Sequence, residues 1–150
     1  MHAIEAARKS PATITADRTI IEAAGEMDRL AVGALVVVES DNRPVGIVTD
    51  RDLVVRGLAR RADPEARVDA VMSTDLVVLA ADADLRDALG IFESHAIRRL
   101  PLVEGERVVG MLTMDDLVVD LTGDLVRLSR PITAQVLFGH REPSTPAALD

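Results

Sequence analysis

The chain has 150 residues, of which 48% are hydrophobic and 28% charged, with a formal net charge of −8 and no cysteine. This composition is typical of one globular body, predicts no membrane span or signal peptide, and suits a reducing compartment, so we expect a cytoplasmic protein. The negative charge opposes binding to nucleic acids and anionic membranes, and two aromatic residues, Phe92 and Phe138, are too few for a base-stacking surface.

The first predicted elements are a short strand and an amphipathic helix. The strand covers residues 13–15, and the helix begins at Thr19, where Thr19 and Glu22 form the pattern of a capping box. Apolar residues then recur at helical spacing, at Ile20, Ala23, Ala24 and Met27.

A β-hairpin and a second helix follow. Two β-branched runs, residues 34–39 and 43–49, are separated by the polar turn Ser40-Asp41-Asn42, and this pattern predicts paired strands. A helix then begins after Thr49. The unit therefore reads β-α-β-β-α.

The same unit occurs a second time. The run GIVTDRDLVV at residues 46–55 returns as GMLTMDDLVV at residues 110–119, an offset of 64. Extended upstream, this offset pairs Ala16 with Ala80 and Ala24 with Ala88. It predicts a strand at residues 76–79, a helix capped by Asp82 or Asp84, a hairpin with its turn at Gly105, and a helix after Thr113. The expected fold class is α/β (α+β), with sheets covered by helices.

The repeat sets the expected domain boundaries. We predict one repeat over residues 1–62 and a second over residues 63–128, with the turn signal Asp63-Pro64 at their junction. Residues 129–150 contain three prolines and no periodic pattern, which predicts a partly mobile C-terminal tail whose ITAQVLF segment could dock on the body.

The repeated motif resembles that of a known family. The motif G-h-h-T-x-x-D, in which h is an apolar residue and x is any residue, occurs at residues 46–52 and again at 110–116, each time after an apolar strand. Together these features resemble a pair of CBS domains, modules named after cystathionine β-synthase, over about residues 3–128. The chain is similar to stand-alone bacterial CBS-pair proteins, including the small hypoxia- and stress-responsive type, which also carries DRD, GLA and DP in the first repeat. The resemblance implies two repeats packed about a pseudo-twofold axis.

The resemblance also implies two clefts between the repeats that bind adenosine compounds. AMP, ADP, ATP or S-adenosylmethionine would act there as a regulatory ligand, with no cofactor required. The second cleft would use Arg98, Arg99, Thr113, Asp115 and Asp116, with adenine beside Ala12 and Thr13. The first cleft would use Thr49, Arg51 and Asp52, with adenine beside Leu76 and Val77.

The residue types suit such a ligand. A helix N-terminus favours phosphate, a threonine hydroxyl can donate to a phosphate oxygen, and an aspartate three residues later can accept from the ribose hydroxyls. The same T-x-x-D arrangement also caps helices, so a structural role for Thr49 with Asp52 stays open.

The two units differ where a phosphate would lie. Arg98 and Arg99 open the strand before the second motif, whereas the offset of 64 places Ala34 and Leu35 at the matched positions. We therefore expect the second cleft to prefer phosphorylated ligands. The alternative is an exposed arginine pair that bridges to surface acids. Asp50 and Asp115 add negative charge beside the clefts, which a divalent cation could relieve, although nothing in the sequence requires one.

Other chemistry is not indicated. The three histidines, His2, His95 and His140, lack metal-ligand spacing, and the sequence contains no nucleophile elbow or phosphate-binding loop, so we expect neither an enzyme nor a metal site. The favoured function is a regulatory module that senses an adenosine ligand. The alternative is a ligand-free interaction protein with vestigial clefts. In either case the protein target is unknown.

The resemblance also implies a homodimer. Members of the family pair two chains into a four-repeat disc. The apolar helices at residues 53–58 and 117–125 are the surfaces expected at that interface.

Overall fold

A computed structural model describes residues 1–8 and 10–138, and its first repeat has the predicted order of elements. These are α1 (Ala3–Ala6), β1 (Thr13–Thr15), α2 (Ile20–Leu30), β2 (Ala34–Val38), β3 (Pro44–Thr49) and α3 (Asp50–Asp52). After α3 the chain continues through a π-helical turn (Leu53–Gly57) and a 3₁₀ turn (Leu58–Arg60). The order β-α-β-β-α is confirmed for this unit.

The second repeat follows a 3₁₀ turn at Val68–Ala70 and has the same order. Its elements are β4 (Leu79–Ala80), α4 (Leu85–His95), β5 (Arg99–Glu104), β6 (Arg107–Thr113) and α5 (Met114–Phe138). The strand predicted at residues 76–79 therefore begins later, at Leu79. Of the two proposed caps for α4, Asp84 is the one used, because its carboxylate accepts a hydrogen bond from the Arg86 amide at 2.9 Å.

Each repeat builds a three-stranded sheet from one parallel pair and one antiparallel hairpin. The orders are β1-β2-β3 and β4-β5-β6, and the first strand of each sheet runs parallel to the second. All five residues of β2 are buried, as expected for a central strand covered on both faces. In α2, Ala23 and Met27 are buried, whereas Ala24, which the sequence analysis placed in the apolar stripe, is exposed.

The hairpins correct the alignment between the repeats by one residue. Ala34 pairs with Thr49 in the first sheet and Arg99 pairs with Thr113 in the second, so the offset is 65 before the hairpin turn and 64 after it. The first hairpin turns through three residues, with Asn42 at a φ of 65°, whereas the second turns through two, with Gly105 at a φ of 58°. The positions matched to Arg98 and Arg99 are therefore Gly33 and Ala34.

The two repeats exchange the segments that precede them. Ala3 and Ala6 of α1 are buried in the core of the second repeat, where the Ala3 amide donates to the Ala83 carbonyl at 2.9 Å. Val68 and Val71, which precede the second repeat in sequence, are instead buried in the core of the first. A third cluster, of Val36, Val38 and Val108, joins the two sheets. The repeats therefore form one packed body.

The last helix extends beyond the predicted end of the second repeat. α5 runs through residue 128 to Phe138 and includes Pro131, which removes one backbone hydrogen bond and crowds the carbonyl of the preceding turn, so this position weakens the helix. Residues 121–134 are exposed, so the start of the ITAQVLF segment projects into solvent and does not dock on the body. Residues 139–150 of the predicted tail lie outside the described residues. Within the described part of the chain, no helix has both the length and the hydropathy needed to cross a membrane.

Candidate functional site

The motif threonines and aspartates form equivalent capping boxes at the starts of α3 and α5. In the second repeat, Thr113 Oγ1 accepts from the Asp116 amide at 3.1 Å, and Asp116 Oδ2 accepts from the Thr113 amide at 3.0 Å. Thr49 and Asp52 make the same pair of bonds at 3.1 and 2.9 Å. The capping role of T-x-x-D is therefore present in both repeats, and each aspartate keeps its Oδ1 atom outside the cap.

The second capping box opens into a cavity of about 530 Å³ that both repeats line. This volume is in the range of pockets that hold small ligands. The walls consist of Ser10, Ala12 and residues 31–34 from the N-terminal half, with Arg98, Arg99, Met111 and residues 113–116 from the second repeat. Of the residues predicted for the second cleft, the structure brings together Ala12, Arg98, Arg99, Thr113, Asp115 and Asp116.

The cavity combines a charged floor with an uncharged wall. Arg98 immediately precedes β5, and Arg99 is its first residue. Asp115 and Asp116 lie in the first turn of α5. The Met114 amide at the start of α5 donates a 3.0 Å hydrogen bond to the Arg98 carbonyl. The positive end of the α5 dipole lies at this turn. Residues 31–34 of the first repeat contribute alanine, valine and glycine to the same cavity. Such a site offers basic groups to an anion and apolar surface to a ring.

At Gly33 the two repeats approach each other closely within this cavity. A Cβ atom at Gly33 would lie 3.1 Å from Asp50 Oδ2 and 3.2 Å from Arg99 Nη2. The guanidinium of the second repeat therefore lies near a carboxylate of the first, and a side chain at residue 33 would crowd both. Glycine at this position keeps the space between the two charged groups open.

The residues predicted for the first cleft are not in this cavity. Its lining does not include Thr49, Arg51, Asp52, Leu76 or Val77. Instead, Asp52 Oδ1 lies 3.9 Å from Arg56 Nε, and Arg56 Nη1 donates to the carbonyls of Val71 and Met72 at 3.2 Å. Through Arg56, the first motif therefore contacts the segment that connects the two repeats. Arg51 is exposed, and its amide donates to Asp50 Oδ1 at 2.8 Å.

Thr13 also lies outside the cavity. It borders a shallow depression of about 300 Å³ together with Arg18, Glu22 and Glu26. The charged groups there bond to their own helix: the Thr19 amide and the Arg18 guanidinium hold the pKa of Glu22 below its ordinary value. We infer a structural role for this group. The strand register explains the placement of Thr13, since adjacent residues of a strand point to opposite faces.

The sequence analysis missed several residues that line the cavity. Ser10 and residues 31–33 carry no charge and lie outside the repeated motif, and Met111 is an apolar position of the motif to which the sequence analysis gave no role. Gly33 had a detectable signal, because an alignment that allows one extra residue in the first hairpin matches it to Arg98. Asp50 was recognised as a nearby charge, but its proximity to Arg99 was not.

Comparisons with known proteins agree with this architecture. The family model for the CBS domain matches the chain twice, over residues 3–58 and 68–123. The CBS domain-containing protein YhcV of Bacillus subtilis is 40% identical over 109 residues, which cover 73% of this chain and 77% of YhcV.

Two solved structures share the fold. Hypoxic Response Protein I, crystallised with two coordinated zinc ions, is 30% identical, with a TM-score of 0.71 over 79% of this chain and 97% of that one. The CBS domain protein PAE2072 from Pyrobaculum aerophilum, complexed with AMP, is 25% identical, with a TM-score of 0.70 over 78% of this chain and 90% of that one. These matches span nearly the full length of both structures.

Proposed function

The chain belongs to the CBS-domain family, and from that premise we propose that it is a regulatory module that binds a phosphorylated adenosine compound between its repeats. CBS-pair proteins are in general regulatory and non-catalytic. The ligand is expected to be AMP, ADP or ATP ahead of S-adenosylmethionine, because the cavity contains two arginines. We propose no required cofactor and no reaction.

The observation that supports this proposal is the shared cavity itself. It joins two arginines, a threonine and two aspartates of the second repeat to an uncharged wall of the first. Arg98 and Arg99 would pair with the phosphate, and the Thr113 hydroxyl would donate to it. Asp116, whose Oδ1 lies outside the capping box, would accept from the ribose hydroxyls.

A relative with a bound nucleotide supports the ligand class. PAE2072, which is complexed with AMP, superposes over 78% of this chain. The adenine ring would lie toward Ala12 and residues 31–34, where apolar side chains and backbone groups are available. The first motif would bind such ligands weakly, since Asp52 faces Arg56 and lines no part of the cavity.

Ligand binding would act on the packing of the two repeats. The cavity walls come from both repeats, so a ligand that contacts both favours the arrangement in which they are close. A coupling free energy of about 1–3 kcal/mol would alter the binding of a partner protein. We further propose a homodimer, because Val54, Val55 and Leu58 after α3 and several apolar residues of α5 are exposed.

Isothermal titration calorimetry with AMP, ATP, adenosine and GMP tests the proposal. We expect AMP or ATP to bind with one site per chain, and Arg99→Ala to weaken that binding about 10- to 100-fold, as loss of a charge-assisted contact does. Adenosine, which has no phosphate, should be affected about twofold or less. Arg86→Ala, an exposed arginine on α4, is the matched control.

The outcomes separate the two functions considered. If no adenosine compound binds the wild-type chain at millimolar concentration, the sensor proposal fails and a ligand-free interaction module is favoured. If AMP binds but Arg99→Ala leaves its affinity unchanged, the assignment of the phosphate to this arginine is wrong.

A further inference from the structure

The cavity has as many acidic as basic groups in its walls. Arg98 and Arg99 are the two basic residues of its lining, and Asp115 and Asp116 are the two acidic ones. Asp50 adds a third carboxylate from across the boundary between the repeats. The cavity therefore has little positive charge left once the two guanidinium groups have bound a phosphate.

Both arginines are available to a single phosphate. They are adjacent at the start of β5, and the 3.0 Å hydrogen bond from the Met114 amide to the Arg98 carbonyl ties them to the first turn of α5. Within residues 1–8 and 10–138, neither arginine forms a salt bridge. A nucleoside monophosphate carries about two negative charges near neutral pH, so two guanidinium groups and the N-terminus of α5 can neutralise it.

Further phosphates would meet carboxylates without an additional cation. Each one adds about one negative charge, and none of the described residues that line the cavity is a third arginine or a lysine. Asp115 lies in the first turn of α5 and is exposed, so solvent reduces its repulsion of a phosphate without removing it. A triphosphate should therefore bind this cavity less tightly than a monophosphate.

We propose that the cavity selects nucleoside monophosphates over triphosphates and that Asp115 determines this selectivity. The inference rests on the proposed function and narrows its ligand class. Asp116 has another role, because its carboxylate completes the capping box with Thr113 and is assigned to the ribose hydroxyls. Asp50 lies beyond Gly33 and is not part of the lining, so Asp115 is the lining carboxylate whose charge no other group uses.

Isothermal titration calorimetry of the full chain with AMP, ADP and ATP tests the selectivity. EDTA in the buffer removes divalent cations, which would otherwise neutralise part of the charge of ATP. We expect affinity to fall in the order AMP, ADP, ATP, with ATP at least about fivefold weaker than AMP. The difference should decrease as added salt screens the charges. ATP that binds as tightly as AMP, or more tightly, overturns the inference.

Charge variants of Asp115 test its assignment. Asp115→Arg introduces the charge that Arg51 has at the matched position of the first motif, and it should lower the ratio of the ATP and AMP dissociation constants at least about fivefold. Asp115→Asn, which removes the charge at nearly constant size, should lower the ratio about threefold. Asp124→Arg is the matched control, because it makes the same change of charge at an exposed residue about 13 Å farther along α5 and outside the cavity. It should change the ratio by less than about 1.5-fold.

The ratio is a measurement that a merely structural role of Asp115 would not change, because a partly unfolded sample loses AMP and ATP binding alike. An unchanged ratio in the folded Asp115 variants, judged by circular dichroism, overturns the assignment to Asp115. If AMP and ATP bind the wild type equally well, the proposed function stands and the selectivity alone is refuted. If no adenosine compound binds the wild type, the proposed function fails and this inference fails with it.

Discussion

The carboxylate of Asp50 and the guanidinium of Arg99 converge on Gly33 from different repeats. A Cβ atom at residue 33 would lie 3.1 Å from Asp50 Oδ2 and 3.2 Å from Arg99 Nη2. The two groups are therefore close enough to attract each other across the cavity, although solvent weakens the attraction because Asp50 is exposed. In the proposed complex a phosphate would compete with Asp50 for the same guanidinium. The affinity for phosphorylated ligands therefore depends on the first repeat as well as the second.

The variant Asp50→Asn tests this competition. Removing the carboxylate removes a negative charge near both Arg99 and the proposed phosphate, so we expect affinity for AMP or ATP to rise about 2- to 10-fold. The gain should shrink as salt screens the interaction. Calorimetry at two ionic strengths measures it, and Asp28→Asn, an exposed acid on α2 with the same change in net charge, is the control. A lower affinity in Asp50→Asn would indicate that Asp50 contacts the ligand favourably.

The two motif aspartates should differ in their effect on binding although they cap helices in the same way. Asp116 lines the cavity and Asp52 does not, so Asp116→Asn should weaken AMP binding about tenfold and Asp52→Asn twofold or less. Both variants weaken a capping box, and each should lose up to about 1 kcal/mol of unfolding free energy. Calorimetry and urea denaturation on the pair measure the two effects. Equal losses of AMP affinity would argue for two working clefts.

The α2 capping box predicts a pH-dependent contribution to stability. The hydrogen bond from the Thr19 amide, helped by Arg18, lowers the pKa of Glu22 below its ordinary 4.5. A lowered carboxyl pKa stabilises the fold above that ordinary value, and this contribution is lost as the pH falls through the folded-state pKa. Glu22→Gln should therefore lower Tm by about 1–3 °C at pH 7.

Scanning calorimetry across pH checks this difference. The gap in Tm between Glu22→Gln and wild type should close as the pH falls below the folded-state pKa of Glu22, where the carboxyl is protonated in both states. Glu93→Gln, on the exposed side of α4, should show no such gap at either pH. A gap that persists in acid would assign the effect to packing and not to charge.

Glycine substitutions should have opposite signs in β3 and α4. A Cβ at Gly46 would lie 2.7 Å from the Ser73 carbonyl oxygen and 2.8 Å from Met72 Sδ, so Gly46→Ala forces the inter-repeat segment away from the sheet. We expect a loss of about 1–3 kcal/mol. Gly90 lies inside α4 with no atom within 4 Å of its Cβ position, and Gly90→Ala should stabilise by about 0.5–1 kcal/mol. Urea denaturation measures both, and a neutral Gly46→Ala would contradict the tight contact.

Local patterns identified most elements because the physics that forms them is local. The capping box at Thr19 and Glu22 and the second hairpin depend only on neighbouring residues, and the structure has both. The offset of 64 failed upstream of the hairpins because one turn has an extra residue, and a turn length has no effect on apolar periodicity.

The candidate site was only partly accessible to sequence reasoning. Charged residues beside the motif, such as Arg99 and Asp116, could be assigned from their residue types, and they line one cavity. Gly33 could be matched to Arg98 only by allowing one extra residue in the first hairpin, and the approach of Asp50 and Arg99 to it across the repeat boundary has no sequence signal. The continuation of α5 was missed because the prolines of residues 129–150 suggested a tail, whereas Pro131 lies within the helix.

The exchange of leading segments has a consequence for synthesis on the ribosome. The hydrophobic core of the first repeat is incomplete until Val68 and Val71 have been translated, although all strands of its sheet are complete by Thr49. α1 emerges first but packs on β6, which is made almost last. The nascent chain must therefore carry an exposed apolar N-terminus through most of its translation. The first repeat has its whole core once Val71 has been made, whereas the second needs α1 as well as its own strands, so we expect the first repeat to form before the second during synthesis.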